Sequence, residues 1–216
     1  MIMENGKIGV FGGTFNPVHR GHELTAVRFY EKFGLERLII MPANVPPHKQ
    51  VDAGITAVQR LEMCRICFKK YQGAYNICVS DFEIKKDGLS YTFDTVAELA
   101  KIYKGGKLYF LVGSDMFLYL EKWYKYRELL ELCAFVVAFR NTDGDSDSDE
   151  ARQVLEMRGK FTGMGAEIYA LENEPFEVSS TELRDKLRGR IKNGVDLEEY
   201  ICGEVLQYIK EREIYV

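Results

Sequence analysis

A chain of 216 residues, 46% hydrophobic and 29% charged, has the composition of an ordinary globule and is long enough to bury a sizeable core. Its formal charge of −4 lacks the basic excess of a nucleic-acid binder, yet leaves room for a nucleotide site, which needs only a few placed cations. No apolar run reaches transmembrane length and residues 1–7 carry no signal-peptide core, so no membrane role is expected. The five cysteines, an odd number, fit a reduced cytoplasmic setting.

The first element is a short buried strand over Lys7–Phe11, closed by Gly12 and Gly13. After Gly21 the apolar residues Leu24, Val27 and Tyr30, with Phe29 and Phe33 beside them, fall at helical spacing. The order then repeats. A strand at Leu38–Met41 leads through the loop Pro42–Lys49 to a helix from about Thr56 to Tyr71, and Asn76–Val79 is the next strand. Phe93, Val96, Leu99, Ala100 and Tyr103 mark another amphipathic helix. Leu108–Val112 ends in Gly113-Ser114-Asp115, and Ala134–Phe139 and Ile168–Leu171 are further strands. Helices close the chain over Ser180–Leu187 and Leu197–Lys210, the first opened by a Ser179/Glu182 capping box. Strands apolar on both faces, alternating with amphipathic helices, predict an α/β fold: a Rossmann-like, doubly wound parallel sheet with a small C-terminal helical part. With no repeat and no linker, residues 1–216 read as one domain.

Two segments invite other chemistry. Cys64 and Cys67 form a C-x-x-C, but Leu61, Cys64, Phe68 and Tyr71 make a helical apolar stripe and no second pair exists, so packing cysteines are expected. The acidic stretch Asp143–Glu150 places carboxylates at positions one, three and five of a calcium loop counted from Asp145, with Glu156 at twelve. Glu150 stands where that loop needs glycine, so a solvated loop is expected.

The chemistry concentrates in the loop after the first strand. Gly12 and Gly13 lack a Cβ and so admit a ligand close to the backbone. His19 and His22 lie where the loop becomes a helix, whose free N–H groups attract anions, and together they form a phosphate cradle. The stretch is neither a P-loop nor a G-x-G-x-x-G fingerprint. A zinc site at the two histidines would need further ligands that the stretch does not supply.

Gly12-Gly13-Thr14-Phe15-Asn16-Pro17-Val18-His19-Arg20-Gly21-His22 resembles the G-G-T-F-N-P-x-H-x-G-H signature of the bacterial nicotinate mononucleotide adenylyltransferases, within the H/T-x-G-H nucleotidyltransferases. Further stretches agree. Pro46-Pro47-His48-Lys49 follows the second strand, and Gly88-Leu89-Ser90-Tyr91-Thr92-Phe93-Asp94-Thr95 resembles G-x-S-Y-T-x-D-T. Val178–Arg184 resembles I-S-S-T-x-I-R, and Gly113-Ser114-Asp115 resembles G-x-D. Trp123 resembles the family's base-stacking aromatic, with Tyr124 after it, and Arg140 falls at the family's arginine after the fifth strand. Tyr200-Ile201 through Ile214-Tyr215 resembles its close. The chain departs in the acidic stretch and at Cys202-Gly203.

The resemblance implies adenylyl transfer from ATP to nicotinate mononucleotide, giving nicotinate adenine dinucleotide and pyrophosphate in NAD biosynthesis. It implies catalytic roles for His19, His22, Lys49 and Arg184. ATP would meet Gly12, Gly13, Thr14, Phe15, His19, His22, Gly113, Asp115, Ser179, Ser180, Thr181 and Arg184. The mononucleotide would meet Asn16, Lys49, Ser90, Tyr91, Thr92, Trp123, Tyr124 and Arg140. No carboxylate cluster marks a protein-held metal, so Mg²⁺ is expected to arrive with ATP. Two rivals share parts of this pattern. A sister enzyme acting on phosphopantetheine or a sugar phosphate would share the H-x-G-H start but not S-Y-T-x-D-T with Trp123 and S-S-T-x-L-R. A nucleotide sensor without turnover would not need His19, His22 and Arg184 intact.

Overall fold

The structure, a computed structural model, describes residues 6–47, 54–86, 88–139, 149–172, 178–189 and 196–215. His48, Lys49, Arg140 and residues 143–148 of the acidic stretch lie outside the described residues.

Six strands form one sheet: β1 (Lys7–Gly13), β2 (Arg37–Pro42), β3 (Ile77–Val79), β4 (Lys107–Gly113), β5 (Ala134–Phe139) and β6 (Ile168–Glu172). Every neighbouring pair is parallel, in the order β3-β2-β1-β4-β5-β6. The sheet is buried on both faces, which is why its strands read as continuous apolar runs. Successive residues of β4 show the alternation. Leu108, Phe110 and Val112 join one core, and Tyr109 and Leu111 join the other.

Helices α1 (Arg20–Phe33), α2 (Ala57–Phe68), α7 (Ser180–Leu187) and α8 (Gly203–Glu211) bury side chains in the core that holds Leu111. Helices α3 (Thr92–Ile102), α4 (Ser114–Leu118), α5 (Tyr126–Leu132) and α6 (Asp149–Gly163) bury theirs in the core that holds Phe110. The doubly wound expectation is met. Strand order reverses between β1 and β4, so the loops leaving those two strands part from each other. Open sheets of this kind take their ligands in the crevice at such a switch point, outside the carboxyl ends of the strands.

Several elements differ from the sequence reading. In α1 the buried face is Glu23, Ala26 and Phe29, whereas Leu24 is 58% exposed. The expected stripe started at Leu24, but the buried position is Glu23, one residue earlier, and it carries a carboxylate. The single helix expected over Leu197–Lys210 is broken into a 3₁₀ turn, Leu197–Glu199, and α8, with Cys202 extended between them. Tertiary bonding explains the break: Arg20 donates from its amide to the Tyr200 carbonyl at 2.7 Å and from Nε to the Glu198 carbonyl at 3.1 Å. Helices α4, α5 and α6 were not anticipated. Asp149 and Glu150 begin α6, so the helical backbone through Glu156 rules out the calcium loop. No helix among the described residues is long and apolar enough to cross a membrane.

Candidate active site

The loop between β1 and α1 is held in an unusual path. Phe15 takes a left-handed backbone, φ 49°, although it is 2% exposed and carries a bulky side chain. Its ring lies where a Cβ on Gly13 would fall, 3.0 Å away, and the Phe110 ring lies 3.1 Å from a Cβ on Gly12. The glycine pair was read as room for a ligand. On the Cβ side that room is filled by protein rings, so a ligand meets these residues through their backbone.

His19 caps α1 and His22 sits three residues in, their ring centroids 3.7 Å apart. The His19 amide donates to His22 Nδ1 at 3.2 Å, which leaves the neutral His22 ring with its proton on Nε2. Phe15 packs edge-on against His22 at 5.0 Å, fixing the ring from the other side. The expected pair of imidazoles at a helix N-terminus is therefore present, with His19 buried and His22 half-buried.

The C-terminal motif reaches the same loop. Ser179 closes its capping box with Glu182 and so starts α7 beside residues 16–17. Arg184 Nη1 donates to the Asn16 carbonyl at 2.8 Å, and Ser180 Oγ to the Pro17 carbonyl at 3.5 Å. Tyr215 donates its hydroxyl to Asn16 Oδ1, tying the chain's close to the same residue. The hydroxyls of Ser179 and Thr181 are engaged within α7, with Glu182 and Arg184 respectively. Two helix N-termini thus face one loop, and Arg184 retains N–H donors beyond the two it uses.

Across the crevice, Gly113 ends β4 and Asp115 enters α4, its carboxylate folded to within 2.7 Å of where a Gly113 Cβ would stand. Tyr124 packs on Tyr91 at 4.9 Å and on Phe93 at 6.0 Å, so the two expected base-binding stretches meet. Trp123 is half-buried and stands perpendicular to Phe110 at 6.2 Å. Through Phe110 it is linked to Gly12. Thr92 is the first residue of α3, as expected, and Tyr91 is its N-cap. Ser90, however, is engaged inside the fold. Its amide donates to the Val45 carbonyl at 2.9 Å and its hydroxyl accepts from the Asn44 amide at 3.0 Å.

Two charged residues that sequence reasoning missed hold these loops. Arg60, 1% exposed, donates to the carbonyls of Thr14 and Asn44, both at 2.8 Å, and so clamps the loops after β1 and β2 together. Burial pulls its guanidinium below the ordinary arginine range. Glu83 is buried beneath Ser90 and accepts from Thr95 Oγ1 at 2.7 Å. Burial pushes its carboxyl up, against hydrogen bonds from Thr95 and Ser90 and the charges of Lys86 and Arg60. The signal for Arg60 was a charge on the buried face of α2, beside Leu61 and Cys64. Glu83 left none.

Comparisons agree with this geometry. Residues 10–186 match the model of the cytidylyltransferase-like family. A nicotinate-nucleotide adenylyltransferase of Bacillus subtilis is 34% identical over 209 residues, covering 97% of this chain and 98% of its own. The Plasmodium falciparum nicotinic acid mononucleotide adenylyltransferase, solved in complex with NaAD, superimposes with a TM-score of 0.76 at 18% identity, covering 98% of each chain. A second structure of it, in complex with APC, gives 0.74 at 16%. Paired histidines at the head of α1, the arginine of α7 on the same loop and kinship along nearly the whole chain place this protein in the nicotinate-nucleotide adenylyltransferase family.

Proposed function

We propose that this chain transfers the adenylyl group of ATP to nicotinate mononucleotide in NAD biosynthesis, and that it does so by positioning and charge neutralisation. The observation that carries this reading is the meeting of the α1 and α7 N-termini on one loop, with His19, His22 and Arg184 around it. The attacking phosphate oxygen is already anionic at neutral pH and needs no base. It forms a bond to the α-phosphorus of ATP while the bond from that phosphorus to the β-bridging oxygen breaks, and pyrophosphate leaves with the electron pair. The obstacle is bringing two anions into line, so preorganised donors supply the catalysis.

His22, with its proton on Nε2, donates to the developing charge at the α-phosphate, beside His19. Arg184 steadies the leaving phosphates, with the amides of Ser180 and Thr181 at the head of α7. Gly12, Gly13, Thr14 and Phe15 offer backbone to ATP, and Gly113 and Asp115 take its ribose hydroxyls. Trp123 and Tyr124 form the aromatic wall for the pyridine ring, and Asn16, Tyr91 and Thr92 complete that side. Lys49 steadies the phosphates and Arg140 stays on the mononucleotide's side, as the resemblance implies. Mg²⁺ fits as a passenger on the triphosphate. Among the described residues the crevice offers it Asp115 and no cage of carboxylates, and when bound it neutralises phosphate charge. We also read residues 1–216 as one nucleotidyltransferase domain working in the cytoplasm, a reading the free cysteines support. Pyrophosphate release from ATP, measured against a panel of mononucleotide, phosphopantetheine and sugar-phosphate acceptors, tests the reading. Turnover with nicotinate mononucleotide alone is the expected result.

A further inference from the structure

Glu23 is left unused by the reading above. It lies in the first turn of α1, yet it is 2% exposed and faces α2 and α8 rather than the loop after β1. Its Oε2 takes the Lys70 ammonium and, at 3.1 Å, the Tyr71 hydroxyl. Its Oε1 is buried and accepts no hydrogen bond among the described residues. A buried carboxylate oxygen without a donor is costly, and such groups ordinarily meet a cation or a metal.

Two thiols stand at the same spot. Cys67 comes from α2 and Cys202 caps α8, where free backbone amides favour a thiolate. Their sulfurs and a Glu23 carboxylate oxygen all lie within 4.8 Å of one another. Ligands of a tetrahedral zinc ion, at ordinary Zn–S and Zn–O lengths, stand about 3.5–3.8 Å apart, so a small adjustment would seat one ion. The C-x-x-C of the sequence is not the pair involved, since the atoms that converge belong to Cys67, Cys202 and Glu23 and not to Cys64. An open groove of about 640 Å³, lined by Cys67, Cys202, Lys70, Glu204 and Tyr208, gives a route in and room for water as a fourth ligand.

The geometry points to a binding site for a thiophilic divalent cation, Zn²⁺ above all, made by Cys67, Cys202 and Glu23. The charges close. Empty, the site holds one carboxylate and one ammonium beside the two sulfurs. Loading sets one dication on two thiolates and one carboxylate and releases to solvent each proton that the thiols carried, and Lys70 keeps its partner throughout. No electron is transferred. Such an ion would staple α1, α2 and α8 behind the histidine pair, and the Cys202-Gly203 departure from the family pattern supplies one of its ligands.

The test uses the whole chain, stripped of metal and kept reduced by a phosphine, and titrated with Zn²⁺ and with Cd²⁺. One equivalent of either should bind, Cd²⁺ should give an ultraviolet thiolate-to-metal band, and Zn²⁺ should protect two of the five thiols from alkylation. Cys67→Ser and Cys202→Ser should each weaken binding by at least about 100-fold, and Glu23→Gln by at least about 10-fold, since even loss of a supporting contact costs a metal site about 10- to 100-fold. Because thiol protection is read on the unaltered chain, a variant that fails to fold does not spoil the result. The inference is overturned if no thiolate band forms, if no thiol is protected, or if Cys202→Ser binds as tightly as the parent, as an ion held by His19 and His22 would.

Discussion

Arg184 Nη1 donates to the backbone carbonyl of Asn16 at 2.8 Å, joining residues 168 positions apart. The guanidinium of α7 thereby fixes the loop whose far end carries His19 and His22, so its loss removes both a phosphate donor and a loop anchor. Arg184→Ala should lower kcat/KM by about 100-fold or more, as loss of a preorganised transition-state donor does. Stability should fall by about 1.5–3 kcal/mol, in line with a charged hydrogen bond. Arg184→Lys should recover stability better than activity, because an ammonium cannot bridge the loop and a phosphate in one plane. Steady-state kinetics and denaturant titration of the same preparations separate the two effects.

His22→Ala isolates the chemistry. Its ring takes a hydrogen bond from the His19 amide and packs on Phe15, and both contacts serve to aim Nε2. The expected result is a kcat lower by about 100-fold or more in a folded protein. Near-normal turnover would remove His22 from the mechanism.

Arg60→Met tests the clamp. It leaves the carbonyls of Thr14 and Asn44 without their donor, and Glu83 with Lys86 alone of its two neighbouring cations. Each buried acceptor left unsatisfied costs about 1–3 kcal/mol, so with two of them this variant should be among the least stable that can be made on α2. Denaturant melts compared with Val58→Ala, on the exposed face of the same helix, decide it.

Glu83 gives a pH signature. Its folded carboxyl titrates above the ordinary value of 4.5, chiefly through burial. The native state therefore holds a proton that the unfolded chain has lost, and stability from this group declines as pH rises from about 4.5 through the folded pKa. Glu83→Gln keeps an acceptor for Thr95 without the charge. Its stability relative to the parent should rise over that window and level off above it. A constant difference from pH 4 to 7 would contradict the sign.

The strands were legible because a sheet covered on both faces writes long apolar runs, and the site loop because its residues are contiguous from Gly12 to His22. Arg184 and Thr92 were legible as motif positions at helix starts. What escaped depends on contacts distant in sequence. Glu23 is buried because Lys70 and Tyr71 meet it, and the break at Cys202 exists because Arg20 takes the carbonyls of Glu198 and Tyr200. Helix α6 buries only Val154 and Phe161, too few for its periodicity to stand out.

The last prediction concerns the base. Nicotinate carries a carboxylate where nicotinamide carries a neutral amide. Thr92 opens α3 and Tyr91 caps it, and the first amides of a helix have no intrahelical partner and favour an anion. Ser90 is not among the donors, because its amide is engaged with Val45, so Tyr91 and Thr92 carry the discrimination. A charged hydrogen bond contributes about 1.5–3 kcal/mol, or roughly 10- to 150-fold in specificity. The acid form should be preferred by at least that range when both mononucleotides compete in one assay. Thr92→Pro then removes a single amide without breaking the helix. Proline suits the first helical position, and Tyr91 at φ −83°, ψ 126° already has the extended backbone that precedes a proline. With Thr92→Ala as the control for the lost hydroxyl, Thr92→Pro should narrow the preference by about 10-fold or more while turnover of the amide form stays within about 3-fold. An unchanged ratio would show that the carboxylate is recognised elsewhere.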